Sequence, residues 1–518
     1  MRKNKNSPSP RPLPQGERGR GQLASARFQP KEVTGAQWFW FLAVLGIAMR
    51  CIPMGYVTAE TTDGVLCLTY FSPDRVETPR FVLMPGYPAL LWLGERLGLE
   101  GPLAGRLLST LAGLLFLFPL WKLARRWVSS EMAGLTCLMA LFSPLLWQWS
   151  PKVMPDNLFL LLFTWSLERL VSASVDKDGK AWGMACVLGA LAATVRPEGL
   201  LLFPWVLLMA WKLRPMGSRA LWTLVWVLPV YFLREKLVLL AMAYREGLGM
   251  TGGPDKVKMP FLNFIEHLYG YFTQPFYVFT PLVFGAALLG LAKMVRLTDP
   301  KAQAFKGILL QVFTVLLISR LIPSQYQDRH MLPFLPLILL AAGYQLETFF
   351  GSLDRTTRPM RWHLMRNATL VAVLTWMALY SSAGAIAQRD SFGDIKRSSE
   401  FLATLPADAK IYSDEVPKTQ YWSGRKVELM HHLVENTTFK PKPGDYVVLH
   451  SFYSPRLNFM AESMRNKFDT VQLHSSRSLV VPLLTDIMED PKLQNRVKAT
   501  AYRFEPQFFQ SAVYRTRK

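Results

Sequence analysis

Residues 56–88, YVTAETTDGVLCLTYFSPDRVETPRFVLMPGYP, follow directly on the first long apolar stretch of the chain and hold Glu60, Asp63, Asp74 and Glu77 among aromatics and prolines. Acids in that company stand at the edge of a membrane. A charge at a helix end is often no more than solvated, or snorkelling to the interface. The reading of this stretch therefore turns on what the rest of the chain brings to the same side.

The chain has 518 residues, half of them hydrophobic, with 36 prolines and 16 tryptophans. Two or three water-soluble domains would fit that length. The distribution of apolar residues excludes them, because they fall in nearly charge-free blocks of about 20, enough for a helix to cross a hydrocarbon core of about 30 Å. The expected fold is mainly α, a polytopic membrane protein of about eleven transmembrane helices. The spans are read at 37–55, 102–121, 131–149, 157–173, 181–195, 199–213, 219–233, 276–292, 306–322, 331–350 and 367–386. If the N-terminus lies inside, the inside loops collect Lys122, Arg125 and Arg126; Lys177 and Lys180; Lys212, Arg214 and Arg219; Lys293, Arg296, Lys301 and Lys306; and Arg355, Arg358, Arg361 and Arg366. The short outside turns around Asp156 and Arg196 hold about one cation each, as the positive-inside rule requires. The long outside loop 234–275 fits that rule less well, with Arg234, Lys236, Arg245, Lys256 and Lys258. The net charge of +22 is thus spread between apolar blocks rather than gathered on one face, which argues for a membrane surface and against nucleic acid. The four cysteines, Cys51, Cys67, Cys137 and Cys186, lack metal-type spacing, and only Cys51 with Cys67 is left open as a bridge.

Residues 1–36 are rich in Pro, Gly and Arg and contain no apolar signal-peptide core. A disordered, basic, cytoplasmic tail is expected there, and its composition leaves the start of translation open. Residues 37–386 form the membrane region. From about residue 387 the composition turns to that of a small soluble α/β domain, placed outside by the odd number of spans. An amphipathic helix over Asp394–Leu405 precedes the strand-like KIYSD (Lys410–Asp414), KVELM (Lys426–Met430), DYVVL (Asp445–Leu449) and SLVVPLL (Ser478–Leu484). No glycine-rich phosphate loop opens a helix there. The two halves of the membrane region do not mirror each other, which weakens a secondary-transporter reading.

With this topology the outer ends of the spans converge. The first loop supplies Glu60, Asp63 and Arg80; SPKVMPDN supplies Lys152 and Asp156; TVRPEG supplies Arg196 and Glu198; and SRLIPSQYQDRH supplies Arg320, Gln325, Asp328, Arg329 and His330. Singly, each has a bland explanation, and a lone histidine is more often a structural hydrogen-bonder than a catalyst. Their recurrence on one side is the signal. The set suits a lipid-phosphate sugar donor whose anomeric carbon lies at headgroup level. A phosphate leaves without a general acid, but its charge needs stabilising, which arginines do. An alcohol or amine acceptor needs a base within hydrogen-bond reach. One carboxylate and a few cations suffice for a single displacement with inversion, with no metal or other cofactor required. The alternative is a carrier or flippase of lipid-linked saccharides, which would hold its ionisable residues at the bilayer midplane between broken helices.

The chain resembles the GT-C superfamily of integral-membrane glycosyltransferases, in particular the bacterial members of the protein O-mannosyltransferase and aminoarabinose transferase-like family (glycosyltransferase family 39). The likeness is carried, in order along residues 37–350, by Asp63 with Tyr70, PGYPALLWLGERLGLEGPLAGRLLSTLAG (Pro85–Gly113), SPKVMPDNLFLLL (Ser150–Leu162), ATVRPEGLLLFP (Ala193–Pro204) and DRHMLPFLPLILLAAG (Asp328–Gly343). It implies a polyprenyl-phosphate-linked donor, a lipid, glycan or protein acceptor, and a bacterial cytoplasmic membrane with the C-terminal domain outside. It gives Asp63 the role of catalytic base and matches Asp156 to the acid of the second outer loop. Arg196 and Arg329 match positions facing the donor phosphate, joined by His330 and Lys152, while Tyr70, Arg80, Tyr87 and Gln325 are expected at the substrate. The family's frequent Asp-Glu pair is here Asp63-Gly64, so either Glu60 substitutes for the second acid or nothing does. One or two short helices along the membrane are also implied in the first loop, where Pro85–Leu97 has an amphipathic pattern.

Overall fold

The computed structural model describes residues 35–54, 57, 59–73, 83–202, 279–298, 328–354, 359–387, 392–429, 442–450, 468–478 and 507–517, with isolated positions in 222–238 and 306–310. Nearly all of the expected tail, most of the spans 199–213, 219–233 and 306–322, and the loop 234–275 lie outside these residues.

The apolar blocks become helices because a helix satisfies its own backbone N–H and C=O groups where no water is available. α1 (Gly35–Met54) leads into the short α2 (Thr62–Leu68) and α3 (Gly86–Arg96), so a short helix lies within the stretch Pro85–Leu97 of the first loop. α4 (Gly101–Leu115), α5 (Leu117–Ala124), α6 (Ser130–Leu141), α7 (Pro144–Trp149), α8 (Asp156–Val175) and α9 (Gly179–Val195) follow, closed by a 3-10 turn at Pro197–Leu201. Later come α10 (Pro281–Met294), a 3-10 turn at Asp328–Phe334, α11 (Leu335–Asp354) and α12 (Pro359–Ala387).

Among the described residues three helical runs are long and apolar enough to cross a membrane: Gly101–Ala124, Asp156–Val175 and Met331–Ser352. The expected count of eleven is not reached there. The stretch read as one span at 131–149 is divided, because Pro144 lacks an N–H and pushes Ser143 to extended backbone (φ −63°, ψ 128°). α4 passes into α5 at Phe116, where Pro119 withholds its hydrogen bond from the Leu115 carbonyl. α8 is buried along most of its length and packs against α4, α5 and α9. α10 lies on α11 almost backbone to backbone: the Ala341 carbonyl leaves no room for a Cβ on Gly290.

The C-terminal segment contains α13 (Gly393–Ala403), β1 (Ile411–Ser413), α14 (Val416–Ser423), β2 (Val427–Leu429), β3 (Tyr446–His450), β4 (Phe468–Ser478) and β5 (Gln507–Thr516). The sheet order is β2-β1-β3-β5-β4. β1 pairs in parallel with β2 and β3, so α14 is the crossover that parallel neighbours need; β5 runs antiparallel to β3 and β4. The strands expected at 410–414, 426–430 and 445–449 are β1, β2 and β3. SLVVPLL meets the described residues only at Ser478, the end of β4. β4 and β5 themselves are strands that the sequence reading missed.

Candidate active site

The site is built around the first turn of α2. Thr61 caps this helix from an extended backbone, its hydroxyl accepting from the Gly64 N–H at 3.1 Å and donating to Met154 Sδ at 3.2 Å. Asp63 stands in that turn, where the helix dipole favours a carboxylate. A Cβ on Gly64 would lie 2.8 Å from the Val153 carbonyl oxygen, so α2 is pressed onto the turn that precedes α8. The position after Asp63, where the resemblance implies an acid, has no room for a side chain.

The 3-10 turn before α11 brings Arg329 to Asp63, with Nη2 paired to Oδ2. No described residue hydrogen-bonds the other oxygen, Oδ1. The side chains are 17 % and 11 % exposed for Asp63 and Arg329, sheltered but reachable. The Arg329 guanidinium also lies 5.7 Å from the centre of the Trp149 ring and 3.7 Å from Met154 Sδ, while its Nε is buried with no partner among the described residues.

A second ionic group sits beside this pair. Arg196 ends α9 in extended backbone, as the residue before Pro197 should. Its Nη1 pairs with Oδ1 of Asp156, the first residue of α8, and its Nε and Nη2 reach the Glu198 carboxylate at 3.1 and 2.6 Å. Burial alone would raise the Glu198 carboxyl; the charge and hydrogen bonds of Arg196 outweigh it, and the group is held below its ordinary value. Asp156 is buried, and its Oδ2 has no partner among the described residues. The Cys67 thiol is pushed well up by its burial first and then by Asp63 and Asp156, with Arg329 opposing, so both carboxylates and the arginine act on one point. Cys67 is a free thiol, which removes the bridge to Cys51.

Glu60 lies two residues before α2 and is almost wholly buried. Its Oε1 accepts from Arg106 Nε at 2.9 Å and Nη2 at 2.5 Å, and its Oε2 from the Val153 N–H at 3.4 Å. Burial raises its carboxyl despite Arg106. With its oxygens so engaged, Glu60 braces the loop rather than presenting a second free acid. Lys152 lies 4.3 Å above the Trp149 ring. Tyr70 is half-buried beside α2, edge-on to Phe71 at 4.9 Å. Tyr87, expected at the substrate, is instead fully buried, its hydroxyl bonded to the Gly105 carbonyl at 3.1 Å and to Ser109 at 2.9 Å; it ties α3 to α4. Arg80 and Gln325 lie outside the described residues, as does the side chain of His330, whose backbone belongs to the 3-10 turn.

The sequence reading did not single out Arg106, Trp149 or Met154, and it counted Glu198 only among the acids of its turn. Glu198 alone carried a local signal, two residues beyond Arg196 in TVRPEG.

Residues 79–233 match the family model described as dolichyl-phosphate-mannose-protein mannosyltransferase. No curated protein matches the chain. Among solved structures, ArnT from Cupriavidus metallidurans in the apo state aligns with a TM-score of 0.57 at 11% identity, over 84% of this chain and 96% of that one. ArnT bound to undecaprenyl phosphate gives 0.56 at 12%, over 85% and 97%. The oligosaccharyltransferase of Archaeoglobus fulgidus gives 0.52 at 13%, over 82% and 69%. Identities this low speak to the fold alone, and the fold is like that of these structures. The resemblance read from the sequence holds, and the matched family and structural neighbours are all glycosyltransferases.

Proposed function

We propose that the protein transfers a sugar from a polyprenyl-phosphate-linked donor to an acceptor at the outer face of a bacterial cytoplasmic membrane, with inversion and with Asp63 as general base. The observation that carries this is the placement of Asp63 on a short helix outside the long apolar runs, oriented by Arg329 through one oxygen, with no described residue bonded to Oδ1. The neighbouring structure that holds undecaprenyl phosphate supports the donor class.

The acceptor O–H or N–H gives its proton to Asp63 Oδ1 while the acceptor atom attacks the anomeric carbon from the face opposite the phosphate. The bond from that carbon to the phosphate oxygen breaks, and its electron pair leaves with the polyprenyl phosphate. Arg329 and Arg196 stabilise the charge that develops there, so no metal or other cofactor enters the step. In this reading Asp156 and Glu198 hold Arg196 in place. The N-terminal end lies in the cytoplasm, and the sheet-bearing segment is a domain outside.

The test is Asp63→Asn in the purified protein, incubated with a panel of labelled undecaprenyl-phosphate monosaccharides and membrane acceptors. Loss of transfer by about 100-fold or more is expected. Turnover near that of the wild type would overturn the assignment.

A further inference from the structure

We propose that Glu415 and Lys418 of the C-terminal segment are positioning residues for Asp63: through the Thr62 hydroxyl they fix the first turn of α2, and so set the carboxylate against Arg329. This rests on the reading of Asp63 as the base. It makes the sheet-bearing segment part of the site rather than an appendage.

The contact is direct. Thr62, the first residue of α2, donates from Oγ1 to Glu415 Oε1 at 2.9 Å, and α14 packs on α2. Lys418 Nζ stands 4.0 Å from the same oxygen and 3.3 Å from the centre of the Phe392 ring, its side chain fully buried. Glu415 is itself rigidly held at the end of β1. Its N–H donates to Ser413 Oγ at 3.0 Å, and its carbonyl accepts from the Thr419 hydroxyl at 2.7 Å. Next to it, the Asp414 carboxylate accepts from the His450 N–H of β3 at 3.0 Å. The acceptor of the Thr62 bond is therefore anchored to the middle of the sheet.

Burying a lysine and a glutamate only to join two segments is poor economy, since apolar side chains of similar volume commonly serve as well or better. A charged pair is justified where a geometry has to be unique. Burial brings Lys418 down to about 8 against the pull of Glu415, Asp394, Asp63 and Asp414, and the presence of Asp63 in that set places the lysine within electrostatic reach of the base.

The experiment uses the full chain in detergent, with Thr62→Val, Thr62→Ser, Glu415→Gln and the double variant Thr62→Val/Glu415→Gln. Turnover, thermal stability and the affinity for undecaprenyl phosphate are measured together. Thr62→Val and Glu415→Gln each lower kcat by about 10- to 100-fold, the range a displaced catalytic group produces. The double variant is no worse than the poorer single one, undecaprenyl phosphate affinity is unchanged, and Thr62→Ser, which keeps the hydroxyl, restores the rate. Wild-type turnover in Thr62→Val would overturn the proposal, as would additive losses that track stability and ligand affinity. Should Glu415→Gln fail to fold, Thr62→Val and Thr62→Ser decide alone, since neither alters the C-terminal segment. Asp63→Asn, run alongside, separates the two claims: an active Asp63→Asn removes the base reading, whereas an inactive one with an active Thr62→Val removes only the positioning role.

Discussion

Arg329 grips Asp63 through one carboxylate oxygen while its guanidinium lies 5.7 Å from the centre of the Trp149 ring. A planar, always-charged fork can orient a base, stack on an indole and still offer an N–H to a phosphate; an ammonium is a point charge and cannot do all three. Arg329→Lys is accordingly expected to lose most of the rate and Arg329→Ala about 100- to 1000-fold. Steady-state kinetics with a polyprenyl-phosphate sugar measure it, and an Arg329→Lys variant as fast as the wild type would show that only the charge matters.

Arg196 serves two carboxylates at once, Asp156 and Glu198, and the Asp156 side chain is only 1 % exposed. Arg196→Met strands both acids, and breaking a buried pair in this way costs about 3–5 kcal/mol. Asp156→Asn leaves Arg196 with Glu198 and should be milder in stability. Thermal unfolding in detergent ranks the two, and the opposite order would mean that Asp156 stabilises the fold through more than its pair with Arg196.

His450 gives a pH dependence with a definite sign. It is fully buried at the end of β3, and burial, reinforced by the charge of Lys418, takes it from 6.5 down to about 3. Between those values the unfolded chain binds a proton at this site that the folded chain refuses, so stability falls as pH drops from about 6.5 towards 3. Hydrogen exchange of β1 and β3 in the intact protein should quicken over that window. His450→Gln should flatten this part of the profile, and a slope identical in the variant would assign it to other groups.

What could be read in the sequence and what could not divide along physical lines. Apolar blocks and prolines are local, so the helices and the short helix α3 were legible. Asp63, Asp156, Arg196 and Arg329 were expected together because the topology read from the sequence put them on one side, and the structure pairs Asp63 with Arg329 and Asp156 with Arg196. Partners were not legible: Arg106 sits inside an apolar helix, and Thr62 meets Glu415 across most of the chain. Tyr87 misled because α3 has an exposed face with Trp92 and Leu93, yet its hydroxyl finds buried acceptors on α4. β4 escaped because its described side chains are largely exposed at the sheet edge, without the apolar alternation that marks a half-buried strand.

Gly64 offers the sharpest test of how closely α2 must be seated. The residue departs from the Asp-Glu pair that the resemblance implies, and a Cβ there would come within 2.8 Å of the Val153 carbonyl oxygen. Backbone cannot yield as a flexible side chain can, so Gly64→Ala must lift α2 from the turn before α8 and carry Asp63 with it. A displacement of that kind lowers kcat by about 10- to 100-fold. Gly64→Glu, which would restore the pair, should be worse still. The control is Gly285→Ala in α10, where no described residue lies within 4 Å of the added carbon. That change should be neutral or stabilise by up to about 1 kcal/mol through helix propensity. If Gly64→Ala keeps the wild-type rate, the position of α2 is less critical than its contacts imply, and the glycine would then be there for packing alone.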